Sequence, residues 1–321
     1  MPTKTVVFDE EPSDPSRGWK PDSRPVKELL DYGLVALDKP RGPTSHEVVA
    51  WVRRLVGVER AGHSGTLDPP VSGLLPIGLG QATKALGLLL LYPKEYWGVM
   101  RVHSSVPLPR LKAAVSEFTG EIFQRPPQRS SVSRQTRTRT IYDLQVRESV
   151  GNLHLFSCLC QSGTYIRKLV YDMGEVLGVG ATMVELRRTK VGPLDESRGF
   201  TTLHELNDAM YKLKQGDESG IRKCVMPVES TLGGLKRLVA RDSAVDAVCH
   251  GARLAMPGVL SASDSIAKGD TLAIMSQKGE LVALGEAMLS TDEMKGLHRG
   301  LVTTTERVVM KKGTYPKLWK N

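Results

Sequence analysis

Residues 61–76 read AGHSGTLDPPVSGLLP and place one acidic side chain, Asp68, in a loop of glycine, serine, threonine and proline. Gly62 and Gly65 permit a close approach of the backbone to a ligand, and Pro69 stiffens the chain after the carboxylate. A rigid loop that presents one ionised carboxylate predicts a nucleophile or a base. A lone aspartate in a turn is also typical of a residue that only caps that turn. The residues around the loop decide between these interpretations.

Apolar periodicity on both sides of this loop predicts a mixture of strands and helices. Within TSHEVVAWVRRLVG, residues 44–57, Thr44 and Glu47 have capping-box spacing and Gly57 supplies a stop, which predicts an amphipathic helix. Further strands are predicted in LVALDKP (34–40), KEYWGVMRVH (94–103), residues 139–148 and residues 152–161, and further helices in RLKAAVSEFTG (110–120) and TYIRKLVYDMGEVLG (164–178), whose apolar side holds Ile166, Leu169, Val170, Met173, Val176 and Leu177. Because strands and helices do not alternate strictly, we expect a mixed α+β fold around an antiparallel-rich sheet.

Changes in composition along the chain predict three segments. Residues 1–32 contain five prolines, which predicts an N-terminal extended arm rather than a helix. Residues 33–235 hold the mixed pattern and form the predicted main domain. Residues 236–321 contain the predicted helix DSAVDAVCHGA and short strands, including a hairpin that turns near Lys278 and Gly279, and form a small β-rich domain. Because this domain has its own strand pattern, we expect the main domain to fold without it.

The composition narrows the class of protein. The chain has 321 residues with 44 Lys and Arg against 35 Asp and Glu, and the formal net charge of +9 indicates a polyanionic partner. No apolar run approaches the roughly 18 residues that cross a bilayer, and the acidic, proline-rich start does not resemble a secretory signal. The four cysteines lack the spacing of a disulfide framework, so a reducing compartment is expected.

The motifs do not support metal, cofactor or hydrolase chemistry. The sequence has no Cys-x-x-Cys pair, so no metal site is expected. GLGQAT, which starts at Gly78, lacks the third glycine of a dinucleotide loop, so no cofactor is expected. Cys158 and Cys160 are two apart in a predicted strand and are expected to pack inside the sheet. His63 beside Ser64 is a poor hydrolase pair, because neighbouring side chains in a glycine-flanked loop rarely face each other.

Four motifs occur in an order that resembles one known family. They are LDKPRGPTSHEVV (37–49), GHSGTLDP (62–69) followed by VSGLLPIGLGQATKAL, SGTYIR (162–167) and ELRR (185–188). Together they resemble the TruB-type pseudouridine synthases. QRPPQRSSVSRQTRTRTIY, HGARLAMPGV and TYPKLW are similar to the dyskerin type, the RNA-guided enzyme of H/ACA particles, and an archaeal member is expected. The resemblance implies a pseudouridine synthase catalytic domain over residues 33–235 and an RNA-binding PUA domain over residues 236–321.

The resemblance also implies roles for individual residues. Asp68 matches the family's catalytic aspartate, Arg167 the arginine that pairs with it, and Tyr96 the tyrosine that stacks on the flipped base. His63, Tyr165 and Leu186 match residues that contact the substrate or line its pocket. Whether Asp68 acts as a nucleophile or as a base stays open. His63 is expected to fill the gap left by the flipped nucleotide or to hold a phosphate, with a purely structural role as the alternative.

A basic segment follows the first half of the main domain. Residues 125–139 contain no acidic side chain and five arginines, which are Arg125, Arg129, Arg134, Arg137 and Arg139. Such a segment is typical of a solvated loop or of a clamp on RNA phosphates. We favour the clamp, because arginine makes bidentate contacts to phosphate and nothing local neutralises the charge.

The implied reaction is the isomerisation of uridine to pseudouridine in rRNA or tRNA. The base detaches from its ribose, rotates and reattaches through carbon, without a cofactor. The implied partners are an H/ACA guide RNA, its target RNA and three small companion proteins, one of which binds kink-turns. A guide-independent tRNA T-loop enzyme and a catalytically silent RNA scaffold are the alternatives. The expected location is the cytoplasm of an archaeal cell, or the nucleolus of a eukaryotic one, with no membrane association.

Overall fold

The computed structural model describes residues 4–125 and 135–317. The chain begins with β1 (Thr5–Val7), α1 (Val26–Asp31), β2 (Gly33–Lys39), α2 (Ser45–Val56), β3 (Ala61–His63), β4 (Ser72–Leu79), β5 (Lys94–Val102), α3 (Leu108–Ser116) and β6 (Gly120–Gln124). It continues with β7 (Arg137–Val150), β8 (Leu153–Cys160), α4 (Ile166–Leu177), β9 (Ala181–Val191), β10 (Leu194–Asp195), α5 (Leu203–Lys214), α6 (Ser219–Cys224) and β11 (Met226–Pro227). The last part contains β12 (Lys236–Ala240), α7 (Asp242–Cys249), β13 (Leu254–Ala255), β14 (Val259–Ser263), β15 (Thr271–Met275), β16 (Leu281–Glu286), α8 (Thr291–Met294), β17 (Leu301–Thr303) and β18 (Arg307–Val308). None of the helices in the described part of the chain has the length and apolar character that a bilayer crossing requires.

The first strand and helix of the main domain form as the sequence predicts. β2 ends at Lys39, before Pro40, because proline cannot donate to the strand ladder. The hydroxyl of Thr44 accepts the backbone N–H of Glu47, and the Glu47 carboxylate accepts the backbone N–H of Thr44. These bonds complete the predicted capping box. Gly57 ends α2 with a φ of 72°, a left-handed conformation that glycine adopts without strain.

Ten strands form the sheet of the main domain. Their order is β11-β2-β4-β9-β5-β8-β7-β6, with β3 paired to β4 and β10 paired to β9. Among the pairings of the described strands in this sheet, β4 with β9 is parallel and the others are antiparallel. β4 lies between β2 and β9, so the loop that enters β4 can be held from both neighbours.

The C-terminal part of the chain forms a second, smaller sheet. Its order is β1-β14-β12-β15-β16-β18, and β13 pairs separately with β17. β15 and β16 form the predicted antiparallel hairpin, with Gly279 at a φ of 82° in its turn. Both the mixed α+β fold and the small β-rich domain are therefore confirmed.

The N-terminal arm differs from the prediction. α1 lies within residues 1–32, so the expectation that this segment contains no helix is wrong. Pro25 immediately precedes α1, where the missing N–H of proline costs little because the first amides of a helix have no intrahelical partner. β1 pairs with β14, and Glu11 binds Arg241, so the arm completes the second sheet. A search for periodicity within the arm cannot show this, because the pairing partner of β1 is distant in sequence.

Part of the core of the main domain lies between its sheet and helices α3 and α4. Cys158 and Cys160 are fully buried in β8 and pack in this core, as predicted. α4 buries the other predicted apolar positions, but Val176 is 52% exposed. Val176 lies at the edge of the apolar stripe, where the helix turns away from the sheet.

A second apolar cluster joins the two domains. Tyr32 of the arm and Ala82, Ala85, Leu88, Val228 and Leu232 of the main domain pack with Ala273, Met275, Leu281, Leu284 and Val309 of the smaller domain. Arg24 of the arm donates two 2.8 Å hydrogen bonds to the Glu229 carboxylate, which also accepts the backbone N–H of Leu281 at 2.8 Å. The expectation that the main domain folds without residues 236–321 stays a prediction, and the shared core speaks against it because removal of these residues exposes one side of the cluster.

We predict that the whole chain unfolds in one thermal transition and that Leu281→Ala moves this transition as a unit. Leu281 is 1% exposed within the shared cluster, so its truncation is expected to cost about 2–5 kcal/mol. Leu91→Ala is the matched control, because Leu91 is 69% exposed and its change should cost less than about 0.5 kcal/mol. Differential scanning calorimetry measures both. Two separate transitions, of which Leu281→Ala moves one, would contradict the shared core.

Candidate active site

The loop between β3 and β4 presents Asp68 at the surface. Its side chain is 55% exposed. The buried amine of Lys39, at the end of β2, donates to three backbone carbonyls of the following segments: Pro40 at 2.9 Å, Pro69 at 3.2 Å and Val71 at 3.0 Å. One buried cation therefore ties the second half of the loop to β2.

The first half of the same loop is held from β9 and α2. Arg188 is 1% exposed, and its guanidinium donates to the carbonyl of Leu74 at 2.8 Å and to that of Gly65 at 2.7 Å. Gly65 has a φ of 70°, and a Cβ there would lie 3.1 Å from Arg188 Nη1, so this close approach favours glycine. The hydroxyl of Ser45 donates to the carbonyl of Leu67 and accepts its N–H, both at 2.9 Å.

Lys39, Ser45 and Arg188 hold the loop that carries Asp68, and the sequence does not predict these contacts. They lie inside two motifs that carry the family resemblance, but nothing in their spacing identifies the carbonyls they bind. One feature of the sequence could have indicated these contacts: a lysine or arginine next to an apolar strand. If such a side chain is buried, its charged group needs several hydrogen-bond acceptors nearby. Burial lowers the pKa of the Lys39 amine, and the nearby Asp68 carboxylate opposes that shift.

Arg167 meets the Asp68 carboxylate, as the resemblance implies. Arg167 is the second residue of α4, and its Nη2 donates to Asp68 Oδ2 across 99 residues of sequence. Both side chains are 55% exposed, so the pair is open to solvent and adds little to stability. Among the hydrogen bonds of the described residues, the Asp68 carboxylate accepts from Arg167 and from no backbone amide. Turn capping therefore does not explain this carboxylate.

Tyr96 lies in β5 between two neighbours that define its environment. It faces Cys158 of β8 and Arg188 of β9 in the strand register, and it is 8% exposed. Burial raises the pKa of the Tyr96 phenol, and the Arg188 guanidinium opposes that shift. The phenol is protonated at neutral pH, so it is a hydrogen-bond donor there and not a phenolate base.

Leu186 and Tyr165 have different surroundings. Leu186 is 5% exposed and lies opposite Gly98, where a Cβ would be 2.9 Å from Leu186 Cδ1 and 2.6 Å from Phe156 Cζ. The missing side chain of Gly98 therefore makes room for Leu186, which belongs to the core, and its role as a pocket wall stays a prediction. Tyr165 is half-buried at the residue before α4, two positions before Arg167.

His63 ends β3 beside the loop. Its Nε2 lies 3.3 Å from the Thr66 hydroxyl, and its ring meets the ring of His46 edge-on with 5.0 Å between centroids. Burial lowers the pKa of His63, and His46 and Arg188 lower it further. His63 is therefore neutral at neutral pH. Of the two roles expected for His63, its neutral ring favours the one in which it fills the gap left by the flipped nucleotide. To hold a phosphate, the ring would need a charge.

The described part of the basic segment flanks the turn before α4. Arg129 and Arg134 lie outside the described residues. Arg125 and Arg137 are exposed, and Arg139 packs against the backbone of Gly163, where a Cβ would lie 3.2 Å from its Nε. The RNA-clamp role of these arginines stays a prediction.

Sequence comparison identifies the family. The chain is 49% identical over 316 residues to a protein named probable tRNA pseudouridine synthase B from Methanothermobacter thermautotrophicus, which covers 98% of this chain and 97% of that protein. It is 47% identical over 315 residues to the protein of the same name from Pyrococcus abyssi, with 98% and 94% covered. The chain belongs to the TruB family of pseudouridine synthases.

Family models match four consecutive parts of this TruB-family chain. The DKCLD domain matches residues 3–49, the N-terminal domain of the TruB family pseudouridylate synthases residues 53–108, the C-terminal domain of tRNA pseudouridylate synthase B residues 167–233, and the PUA domain residues 236–309. The first TruB match contains Asp68 and Tyr96, and the second contains Arg167 and Leu186. The PUA match begins where β12 begins.

Solved structures share the fold of the TruB-family chain over its whole length. The Cbf5 chain of an archaeal box H/ACA sRNP Nop10–Cbf5 complex has a TM-score of 0.90 and 44% identity, with 99% of both chains covered. A chain of an H/ACA RNP bound to a substrate RNA that contains 2′-deoxyuridine has a TM-score of 0.92 and 43% identity, covering 99% of this chain and 98% of that one. These matches confirm the predicted resemblance to the dyskerin type.

We predict that His63 titrates below the ordinary histidine value of about 6.5. The unfolded chain then binds the proton more readily than the folded chain as the pH falls below about 6.5, so acidification lowers the free energy of unfolding. In His63→Gln this loss should be smaller. Chemical denaturation of both proteins at pH 7.5 and pH 5.5 isolates the contribution of His63 from that of His154, whose pKa is also lowered by burial. An equal loss in both proteins would contradict the assignment.

Proposed function

We propose that this chain converts uridine to pseudouridine in RNA with Asp68 as its catalytic residue. The observation that carries this proposal is a single carboxylate at the protein surface on a loop that two buried cations, Lys39 and Arg188, hold through its backbone. A carboxylate held in this way is already oriented when the substrate arrives, which reduces the entropy lost in reaching the reactive geometry. Membership of the TruB family supports the same chemistry.

The reaction breaks the bond between the ribose and N1 of uracil and forms a bond between the ribose and C5, after which C5 loses its proton and N1 gains one. The target base must first leave its stack, so that Asp68 can reach the sugar or the base. Asp68 acts either as the nucleophile or as the base that starts cleavage. Arg167 keeps the carboxylate in place, and the ring of Tyr96 stacks on the flipped base. Leu186 and Tyr165 line the pocket, and neutral His63 fills the gap. Retention of Asp68, Tyr96 and Arg167 speaks against a silent scaffold.

The proposed partners are an H/ACA guide RNA, its target rRNA or tRNA and three small companion proteins, one of which binds kink-turns. Support comes from the Cbf5 chains solved in complexes with Nop10, with Nop10 and Gar1, and in an H/ACA RNP with substrate RNA, which are 43–45% identical to this chain over 99% of its length. The proposed RNA-binding surfaces are the PUA domain, for which we propose the bounds 236–321, and the arginines at 125–139. The organisms named above are archaea, which supports the cytoplasm as the compartment.

Guide-independent modification of tRNA is the second candidate, because the curated relatives are named tRNA pseudouridine synthase B. Mapping of pseudouridine in a target RNA and in tRNA, with and without an H/ACA guide RNA and the companion proteins, separates the two candidates. Product in the target RNA that requires the guide supports the particle. Product in tRNA from the isolated protein supports the second candidate, and its absence in both RNAs leaves the scaffold.

Asp68→Asn is predicted to lower pseudouridine formation below detection and to leave RNA binding within about twofold. The substitution keeps the size of the side chain but removes the charge that the reaction needs. Single-turnover tritium release from uracil-labelled RNA measures product, and filter binding measures affinity on the same preparation.

Asp217→Asn is the matched control. Asp217 Oδ1 accepts the backbone N–H of Ser219 at 2.8 Å, so it is an exposed turn cap that asparagine can replace. This variant should keep the parental rate. Substantial product from a folded Asp68→Asn protein would return Asp68 to a structural role.

A further inference from the structure

One buried side chain forms two hydrogen bonds to the backbone of the turn between β8 and α4. Gln124, the last residue of β6, is 2% exposed. Its Oε1 accepts the backbone N–H of Tyr165 at 2.9 Å, and its Nε2 donates to the Tyr165 carbonyl at 3.1 Å. A single amide thus binds both backbone groups of one residue, in the way a neighbouring strand would. Gln124 and Tyr165 are 41 residues apart in sequence, so the tertiary structure brings them together.

Tyr165, the residue that Gln124 binds, sets the point at which α4 begins. Tyr165 occupies the position before α4, where no side chain caps the helix. Arg167 follows two residues later and donates to Asp68. The positive end of a helix dipole disfavours an arginine at this position, so the dipole of α4 does not orient Arg167 towards the loop. The direction of the first turn, and with it the reach of Arg167, depends on what holds the Tyr165 backbone.

Other contacts hold the earlier part of the same turn. Gln161 Oε1 accepts the backbone N–H of Thr140 at 3.1 Å, and the backbone N–H of Gln161 donates to the Thr140 carbonyl at 2.8 Å. The amine of Lys94 donates to the Ser162 hydroxyl at 2.8 Å. These contacts fix residues 161–162, which lie five and four positions before α4 begins at Ile166. The Thr164 hydroxyl donates to the Gln161 carbonyl at 2.7 Å, and Gln124 binds the next residue, Tyr165.

We propose that Gln124 is a positioning residue that sets Arg167 against the Asp68 carboxylate through the Tyr165 backbone. This inference rests on the proposed function of Arg167 and Asp68. Gln124 also directly precedes the basic segment, and Arg139, on the far flank of that segment, packs against Gly163 of the same turn. Both described flanks of the proposed RNA-binding segment therefore touch the turn that immediately precedes α4.

The test compares two substitutions at position 124. Gln124→Met has a similar size and loses both hydrogen bonds. Gln124→Glu keeps the acceptor for the Tyr165 N–H but loses the donor and places a carboxylate against the Tyr165 carbonyl. Both should lower the single-turnover rate at saturating enzyme by about 10- to 100-fold, the size of effect that a misplacement of about 1 Å produces. RNA affinity should stay within about twofold, because the side chain is buried.

Gln145→Met is the matched control. Gln145 also lies in a strand of the main sheet, and its amide donates to the exposed Asp143 carboxylate at 2.8 Å. Its loss should leave the rate unchanged. Thermal melting of each variant shows the folded fraction at the assay temperature. If Gln124→Met does not fold, Gln124→Glu decides. Failure of both to fold would overturn the inference, since the amide would then support the whole domain.

Arg167→Ala, alone and combined with Gln124→Met, separates the inference from the function on which it rests. We expect Arg167→Ala to lower the rate and Gln124→Met to add less than about twofold in that background, because the residue it positions is gone. A full 10- to 100-fold further loss would overturn the role of Gln124 and leave that of Arg167 intact. An unchanged rate in Arg167→Ala would instead refute the proposed role of Arg167, and the inference with it.

Discussion

Two buried cations bound to backbone carbonyls hold the loop that carries Asp68. Lys39 and Arg188 have no carboxylate among their hydrogen-bond partners in the described residues, and their donors go to carbonyls on both halves of the loop. A cation that loses its acceptors in a buried site costs several kcal/mol, so the loop cannot move without stranding these charges. The position of the Asp68 carboxylate therefore depends on side chains that bind the backbone of its loop and not the carboxylate itself.

The same logic extends to the partner of the carboxylate. Arg167 is exposed at the start of a helix that does not favour it, and the solvent-open pair with Asp68 is weak. An ion pair this weak does not hold its own two side chains in place, so other contacts must orient both of them. The loop supplies that orientation for Asp68, and the contact of Gln124 with Tyr165 supplies it for Arg167. Each half of the pair is thus placed by hydrogen bonds to the backbone, which leaves the side chains free to respond to a substrate.

The shared core gives the two domains a common stability. The sequence shows two patterns of strands and helices, and each pattern does form a separate sheet. Yet Leu232 and Leu281 pack in one cluster. Beside it, Arg24 and Glu229 form a buried ion pair. An arm that ends in α1 and starts in β1 connects the two units. RNA-binding surfaces proposed on both domains therefore belong to one cooperative structure, so contacts on one domain have a defined relation to the other.

Local chemistry determined much of this protein from the sequence by itself. The capping box of α2, the strands β5, β7 and β8 and the buried cysteines follow from spacing and capping, which act within a few residues. Tertiary structure alone decided that β1 joins the second sheet, that the domains share a core, and that Lys39, Arg188 and Gln124 hold the site. Their partners are backbone groups far away in sequence, and a backbone carbonyl has no residue identity that a sequence pattern can reveal.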